Sequence, residues 1–390
     1  MKFKTENNVL TVYPAGRIDS SNAEAVEAEI VSIRKNSPSG SMVLDAEALE
    51  YISSAGLRVI LRLRKAEPDL RIVNASPDIY EIFDMTGFTE MMTIEKAYRR
   101  LSVDGCEVIG QGANGKVYRI DADTIIKVYL NPDSLPDIHR ERELARRAFV
   151  LGIPTAIPYD VVKVGDGYGS VFELLNAKSF AKLIAAEPEN LDKYVGLYVD
   201  LLKKIHGTEV KPEDMPDMKA VALDWADFLA DYLPADQYKK LHDLIAAVPV
   251  SHTMLHGDYH IKNVMLQNGE VLLIDMDTLC QGNPVFEFAS VWLAYAGYSE
   301  LDHSISLSFL GIPHETAVEI WEKTLPLYFG TNDETVLKSY SDKARIIGYT
   351  RMMRRTIRRN GFNTEDGRAI IELCKNRLAE LLPGVDSLAF

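Results

Sequence analysis

His256-Gly257-Asp258-Tyr259-His260-Ile261-Lys262-Asn263, with Leu272-Leu273-Ile274-Asp275-Met276-Asp277 close behind it, constrains what the rest of the chain must be. An Asp five residues before an Asn on a tight loop can orient an attacking hydroxyl while the Asn holds a metal. A second Asp ending an apolar strand can take Mg²⁺. The spacing therefore suits phosphoryl transfer, with Asp258 at the hydroxyl and Asn263 and Asp275 at the metal. Strand context separates this from a solvated loop with a capping Asp. Gln267-Asn268-Gly269 is a turn signal, and Glu270-Val271-Leu272-Leu273-Ile274 should deliver Asp275 to a sheet edge beside Asn263.

Such a site needs a nucleotide-binding half upstream. Gly110-Gln111-Gly112-Ala113-Asn114-Gly115-Lys116-Val117 supplies Gly110, Gly112 and Gly115. In a dinucleotide fold these glycines would open a helix, but Val117-Tyr118-Arg119-Ile120 alternates like a second strand, which fits a glycine-rich hairpin over ATP phosphates. After Asp121-Ala122-Asp123, the strand Thr124 to Tyr129 carries one cation, Lys127, the candidate phosphate-contacting lysine. Pro136 to Val150 has helical composition, and either Glu141 or Glu143 could pair with Lys127. Val171-Phe172-Glu173-Leu174-Leu175 reads as a buried strand running into a connector, and its position makes Glu173 and Leu175 candidates for the adenine edge.

With these residues in order, the stretch from about 103 to 300 resembles the aminoglycoside phosphotransferase and choline kinase type of protein-kinase-like fold. The HGDxHxxN form and the Ile-Asp-x-Asp strand carry the resemblance. It implies ATP and Mg²⁺ between two lobes, Asp258 as catalytic base, Asn263 and Asp275 as metal ligands, and Lys127 on the α- and β-phosphates. It also favours a small-molecule acceptor with a hydroxyl over a protein. His260 and Asp277 match family positions as well.

The first hundred residues are a different object. A strand from Val9 to Pro14 precedes Gly16-Arg17-Ile18-Asp19, and Ser20-Ser21 can cap a helix to about Asn36. Ser41 to Asp45 is another strand, Ser54 opens a helix with Leu57, Ile60 and Leu61 on its apolar face, and Leu70 to Asn74 and Pro77 to Met85 complete a small α/β unit. Asp45 and Ser53-Ser54-Ala55-Gly56-Leu57 make it similar to the STAS domain of anti-anti-sigma factors. That resemblance implies a protein partner and a phosphate-accepting serine at Ser54, although Ser53 stands where the best-studied motif has an acid. The alternative is that Ser54 caps its helix. The expected organisation is an α/β STAS module over 1–101 and an α+β two-lobed kinase-like part, with its first lobe over 102–175 and a helical lobe over 176–390.

Composition sets limits. The net charge is −14, which argues against nucleic acid and anionic membrane as general partners, because phosphate backbones reward clustered Lys and Arg. One cluster runs the other way: Arg351, Arg354, Arg355, Arg358 and Arg359 share a helical stretch that could receive an anionic substrate or a phosphoserine, or simply pair with acidic neighbours. No apolar run approaches the ~20 residues of a membrane span. Met1-Lys2-Phe3-Lys4 lacks a signal-peptide core, and Cys106, Cys280 and Cys374 have no metal spacing, so a cytoplasmic protein is expected. Trp225, Trp292 and Trp321 read as core. The leading expectation is an ATP- and Mg²⁺-dependent phosphotransferase acting on a small molecule and regulated or recruited through its STAS module. The alternatives are a nucleotide-binding regulator with little catalysis and a kinase acting on Ser54 or a protein partner.

Overall fold

The computed structural model describes residues 1–112 and 115–390, so Ala113 and Asn114, at the tip of the expected glycine loop, lie outside the described residues. The chain divides into two compact units, Met1–Ser102 with Val161–Asp166, and Val103–Asp160 with Gly167–Phe390.

In the first unit, β1 (Lys2–Glu6) and β2 (Val9–Tyr13) form a hairpin whose turn residues Asn7 and Asn8 have φ of 48° and 64°. Positive φ at both central positions is the turn that matches strand twist, and Asn tolerates it. α1 (Ala23–Asn36) follows β3 (Gly16–Ile18), then β4 (Ser41–Asp45), β5 (Leu49–Ile52), α2 (Ser54–Ala66), β6 (Arg71–Ala75), α3 (Pro77–Met85), α4 (Phe88–Met91) and β7 (Ile94–Lys96). The main sheet runs β1-β2-β4-β6-β7, with β1 antiparallel and the others parallel. Leu10, Val12, Leu44 and Ile72 point into a core closed by Ile30, Val59, Ile60 and Phe83. Two local expectations are corrected. α1 is not capped by Ser20 or Ser21: Asn22 is its N-cap residue without a side-chain cap bond, and Asp19 instead accepts from the Ser21 backbone and hydroxyl. α2 is capped by Ser53, whose hydroxyl accepts from Ala55 N and Gly56 N at 3.2 and 3.5 Å, which leaves Ser54 exposed at the first helical position.

The second unit opens with β8 (Glu107–Gln111), β9 (Gly115–Arg119) and β10 (Thr124–Tyr129), followed by α5 (Leu135–Val150); the next strand, β11 (Asp160–Val164), falls with the first unit from Val161 on, and β12 (Gly167–Glu173) returns to the second. β12, β10, β9 and β8 lie side by side in that order, antiparallel, and Lys127 stands opposite Val117 on one side and Ser170 on the other. The rest is mainly helical: α6 (Phe180–Ala186) after β13 (Lys178–Ser179), α7 (Leu191–His206), α8 (Met218–Phe228), α9 (Ala235–Ala246), α10 (Pro284–Trp292), α11 (Ser304–Leu310), α12 (His314–Phe329), α13 (Glu334–Arg358) and α14 (Glu365–Leu381). Between α9 and α10 the chain makes β14 (Met254–Leu255), the hairpin β15 (Val264–Gln267) and β16 (Glu270–Leu273), and β17 (Cys280–Gln281). The hairpin turn is Asn268-Gly269, with φ of 51° and 87°. Trp225, Trp292 and Trp321 are buried in the helical core. α13 lies close against α10 because position 348 is Gly, where a Cβ would stand 2.5 Å from the Trp292 ring.

Candidate active site

The loop from His256 to Asn263 is fixed by buried bonds before any ligand is considered. Gly257 adopts φ +80°, and a Cβ there would lie 2.5 Å from the Thr278 carbonyl oxygen, so only glycine fits this turn. The Glu287 carboxylate accepts from the backbone N–H of His256 and, at 3.0 Å, of Gly257. Burial would push that carboxyl up, but His206 and His256 hold it below its ordinary value, so it remains an anion inside the core. His256 Nε2 bonds Ile274 O at 3.1 Å and its Nδ1 accepts from Asp258 N at 3.3 Å, which fits the ring with its proton on Nε2. Tyr259 donates to Tyr198 O at 2.7 Å, Tyr198 returns a bond to Tyr259 O at 3.1 Å, and Tyr295 accepts from Ile261 N at 3.0 Å. With both ends of the loop tied in this way, Asp258 has little freedom to drift.

Asn263 Nδ2 donates to Asp258 O at 3.0 Å, leaving its amide oxygen for a ligand, and Asn263 O accepts from Ile274 N at 2.9 Å. This last bond sets Asp275 beside Asn263, as the strand pattern predicts. Asp275 sits at φ 65°, an uncommon conformation for a residue with a side chain. Lys127 Nζ reaches Asp275 Oδ1 at 2.9 Å and the Glu141 carboxylate at 2.9 and 3.1 Å. Burial alone would lower the lysine, but the charges of Asp275 and Glu141 outweigh it and hold the ammonium well above its ordinary range. Tyr129 also donates to Glu141, at 2.5 Å.

Glu143, the other candidate partner of Lys127, is turned away and accepts from Arg147 Nε at 2.9 Å. Two residues along a helix rotate a side chain by about 200°, so one of the two glutamates had to face outward. Asp258 is held below the usual carboxylate range: burial opposes this, but the His260 ring at 3.5 Å, Arg351 and His256 together prevail. Asp277 goes the other way, pushed up to about 6 by burial and by the negative charge of Asp275.

The remaining expected residues are placed as follows. Gly115 pairs with Tyr129 two positions from Lys127, and Gly112 N donates to Gly115 O at 2.9 Å, so the described part of the glycine hairpin, with Gly110 on β8, borders the lysine strand. Glu173 ends β12 opposite Thr124 and is exposed, while Leu175 follows it half-buried. No hydrogen bond among the described residues joins either to the Lys127 cluster. Ser54 belongs to the first unit. Three participants were not singled out from sequence: Glu287, Tyr129 and, as a neighbour of Asp258, Arg351. Arg351 donates to Gly257 O at 3.1 Å. The only sequence signal for it was the arginine cluster itself.

Among the described residues, no group of three His, Cys, Asp or Glu side chains surrounds a metal position. Asn263 and Asp275 are the two residues expected from sequence to share one, and the Ile274 N to Asn263 O bond brings their backbones together. The crowding of Asp275 against Asp277 is charge that a divalent cation would relieve, so the donor set fits a hard, oxygen-seeking ion.

Comparison with known proteins places both units. The profile of the phosphotransferase enzyme family matches residues 105–315, and the STAS domain profile matches residues 1–101. BtrV of Bordetella bronchiseptica, named as an anti-sigma factor antagonist, is 36% identical over 83 residues, which is 20% of this chain and 71% of that protein. Among solved structures, a thermostable mutant of aminoglycoside phosphotransferase APH(4)-Ia aligns with 12% identity and a TM-score of 0.48 over 72% of this chain and 94% of that one. A choline/ethanolamine kinase family protein from Mesorhizobium loti aligns with 15% identity and a TM-score of 0.46 over 71% and 87%. The chain is an N-terminal STAS domain followed by a kinase-like sheet lobe and helical lobe, and it belongs to the phosphotransferase enzyme family.

Proposed function

We propose that the chain transfers the γ-phosphoryl group of ATP to a hydroxyl of a small molecule, with Mg²⁺. In this reading residues 102–175 form the nucleotide lobe, 176–390 the helical lobe, and the STAS module over 1–101 regulates or recruits the enzyme through a protein partner. The observation that carries the proposal is Lys127 Nζ lying 2.9 Å from both Glu141 and Asp275, residues of a helix and of a turn 148 positions further along the chain. A lysine kept charged by two carboxylates is suited to phosphate oxygens.

Asp258 accepts the hydroxyl proton as the acceptor oxygen bonds to the γ-phosphorus and the bond from that phosphorus to the departing ADP oxygen breaks. Its low proton affinity keeps it ionised and able to orient the hydroxyl throughout the neutral range. Glu141 holds Lys127 toward the α- and β-phosphates, the glycines at 110, 112 and 115 let backbone approach them, and the backbone near Glu173 and Leu175 borders the adenine. Asn263 and Asp275 would hold Mg²⁺, which neutralises phosphate charge when bound. Three unpaired thiols support a reducing, cytoplasmic setting.

Replacing Asp258 with Asn should lower ATP turnover by about 10²–10⁴-fold with the Kd for Mg–ATP changed by less than threefold. Basal hydrolysis, with water as acceptor, suffices for the comparison, and unchanged turnover would remove Asp258 from its role. Ser54 favours a second reading: it is exposed at the start of α2, and Ser53, not Ser54, does the capping. A phosphate there would add about −1.5 to −2 charges at a helix N-terminus. Mass spectrometry after incubation with ATP, wild type against Asp258→Asn, tests whether this protein is its own Ser54 kinase. Absence of phosphate from both would discard that reading.

A further inference from the structure

The helical lobe carries a run of cations that begins beside Asp258. At about 100° per residue, Arg351, Arg354, Arg355 and Arg358 of α13 fall within an arc of about 100° and so share one face. Arg351 donates to Gly257 O at 3.1 Å, and its guanidinium lies 5.6 Å from the centroid of the Trp225 ring. One turn on, Arg355 donates to the Tyr298 hydroxyl at 2.9 Å. The Tyr298 ring packs edge-on against Phe309 at 6.2 Å, Phe309 packs against His260 at 5.1 Å, and the Lys262 ammonium stands 5.4 Å from the Phe309 centroid. His260 returns the circuit to Asp258 at 3.5 Å.

The carboxylates of this region are committed elsewhere or to a single arginine. Asp224 pairs with Arg354 at 2.8 Å, while Glu300 is taken by the Tyr349 hydroxyl at 2.6 Å and by Arg377 at 2.8 Å. Among the described residues, Arg351, Arg355 and Lys262 form no ion pair with a carboxylate, although the charge of Arg351 is felt by Asp258, in a chain whose net charge is −14. Arg355 and Lys262 are also exposed. A polyamine placed against Asp258 would meet these like charges, whose repulsion is several times stronger near a protein surface than in water. An anion would gain charge-assisted bonds from forked guanidinium donors.

We propose that the acceptor is a small hydroxy compound bearing a carboxylate or phosphate, held by Arg351, Arg355 and Lys262 so that its hydroxyl lies at Asp258. This rests on the phosphotransferase reading and departs from an aminoglycoside or choline acceptor. The anionic group orients the molecule, Tyr298 and Phe309 line its carbon skeleton, and the atoms exchanged are those of the transfer described above.

The test is calorimetric titration of the full chain, loaded with Mg–ADP, with 3-phosphoglycerate and gluconate, their uncharged counterparts glycerol and glucose, and kanamycin. We expect at least one anion to bind at least tenfold more tightly than its counterpart. Arg355→Glu should weaken that binding tenfold or more, and Arg355→Lys by less than threefold. Equal binding of anion and polyol, tighter binding of kanamycin, no saturable anion binding, or indifference to Arg355→Glu would each overturn the proposal. Basal ATP hydrolysis and its loss in Asp258→Asn are measured without any acceptor, so failure of the anion reading is distinguishable from failure of the phosphotransferase reading.

Discussion

Asp277 and Glu141 show how single carboxylates are set by their neighbours. Burial and the charge of Asp275 push Asp277 up to about 6, above the ~3.9 of an unfolded Asp. The folded protein therefore binds more protons between those values, so the contribution is fully present below about pH 4 and is lost as pH rises through about 6. In metal- and nucleotide-free protein, Asp277→Asn should be more stable than wild type by about 1–2 kcal/mol at neutral pH and equal to it near pH 4, read from urea unfolding across a pH series. A constant difference at both ends would mean that the carboxyl is not desolvated. In the proposed reading Glu141 acts on the nucleotide side, through Lys127. Glu141→Gln leaves Asp275 as the one carboxylate paired with Lys127 and should raise the KM for ATP by about tenfold, the equivalent of about 1.4 kcal/mol, with a smaller change in kcat. An unchanged KM would show that Asp275 suffices to hold the lysine.

At the scale of elements, α2 offers a clean contrast between two adjacent serines. Ser53→Ala removes the hydroxyl that accepts from Ala55 N and Gly56 N and should cost the first unit about 1 kcal/mol, whereas Ser54→Ala should stay within about 0.5 kcal/mol. Thermal unfolding of both variants decides it, and a larger loss from Ser54→Ala would reverse the assignment of the cap. From sequence Ser54 was the residue read as opening or capping the helix; that Ser53 does the capping depends on where the backbone leaves β5. What was legible was local: the apolar run Thr124 to Tyr129 with its one cation, the Asn268-Gly269 turn, and the spacing of Asp258, Asn263 and Asp275. What was not legible needed phase or long-range return. Glu141 could not be told from Glu143 without knowing which face of α5 meets the sheet. Arg351 acts on a loop 94 positions away, and nothing near it in the chain names that loop. Glu287 lay in a stretch read as lobe structure, yet its buried carboxylate holds the backbone of His256 and Gly257.

At the scale of the whole molecule, each unit owns a hydrophobic core, one built around Leu10, Leu44, Ile72 and Phe83 and the other around Phe180, Tyr198, Phe288 and Tyr349. Stability can therefore be probed unit by unit within the intact chain. Phe83 has no exposed surface and its ring lies 5.7 Å from that of Phe88, so Phe83→Ala leaves a void beneath β4, β6 and α3. Large-to-small changes of this kind cost about 3–5 kcal/mol, a large share of the 5–15 kcal/mol that holds a domain of this size. Because core amides exchange through near-global opening, that loss corresponds to roughly two to four powers of ten in exchange rate. Hydrogen exchange followed by mass spectrometry should show it in peptides covering Ser41–Asp45 and Arg71–Ala75. If those peptides kept wild-type protection, the Phe83 cavity would have to be refilled by collapse of Met92 and Ile94 onto it, and the first core would be more plastic than its packing indicates.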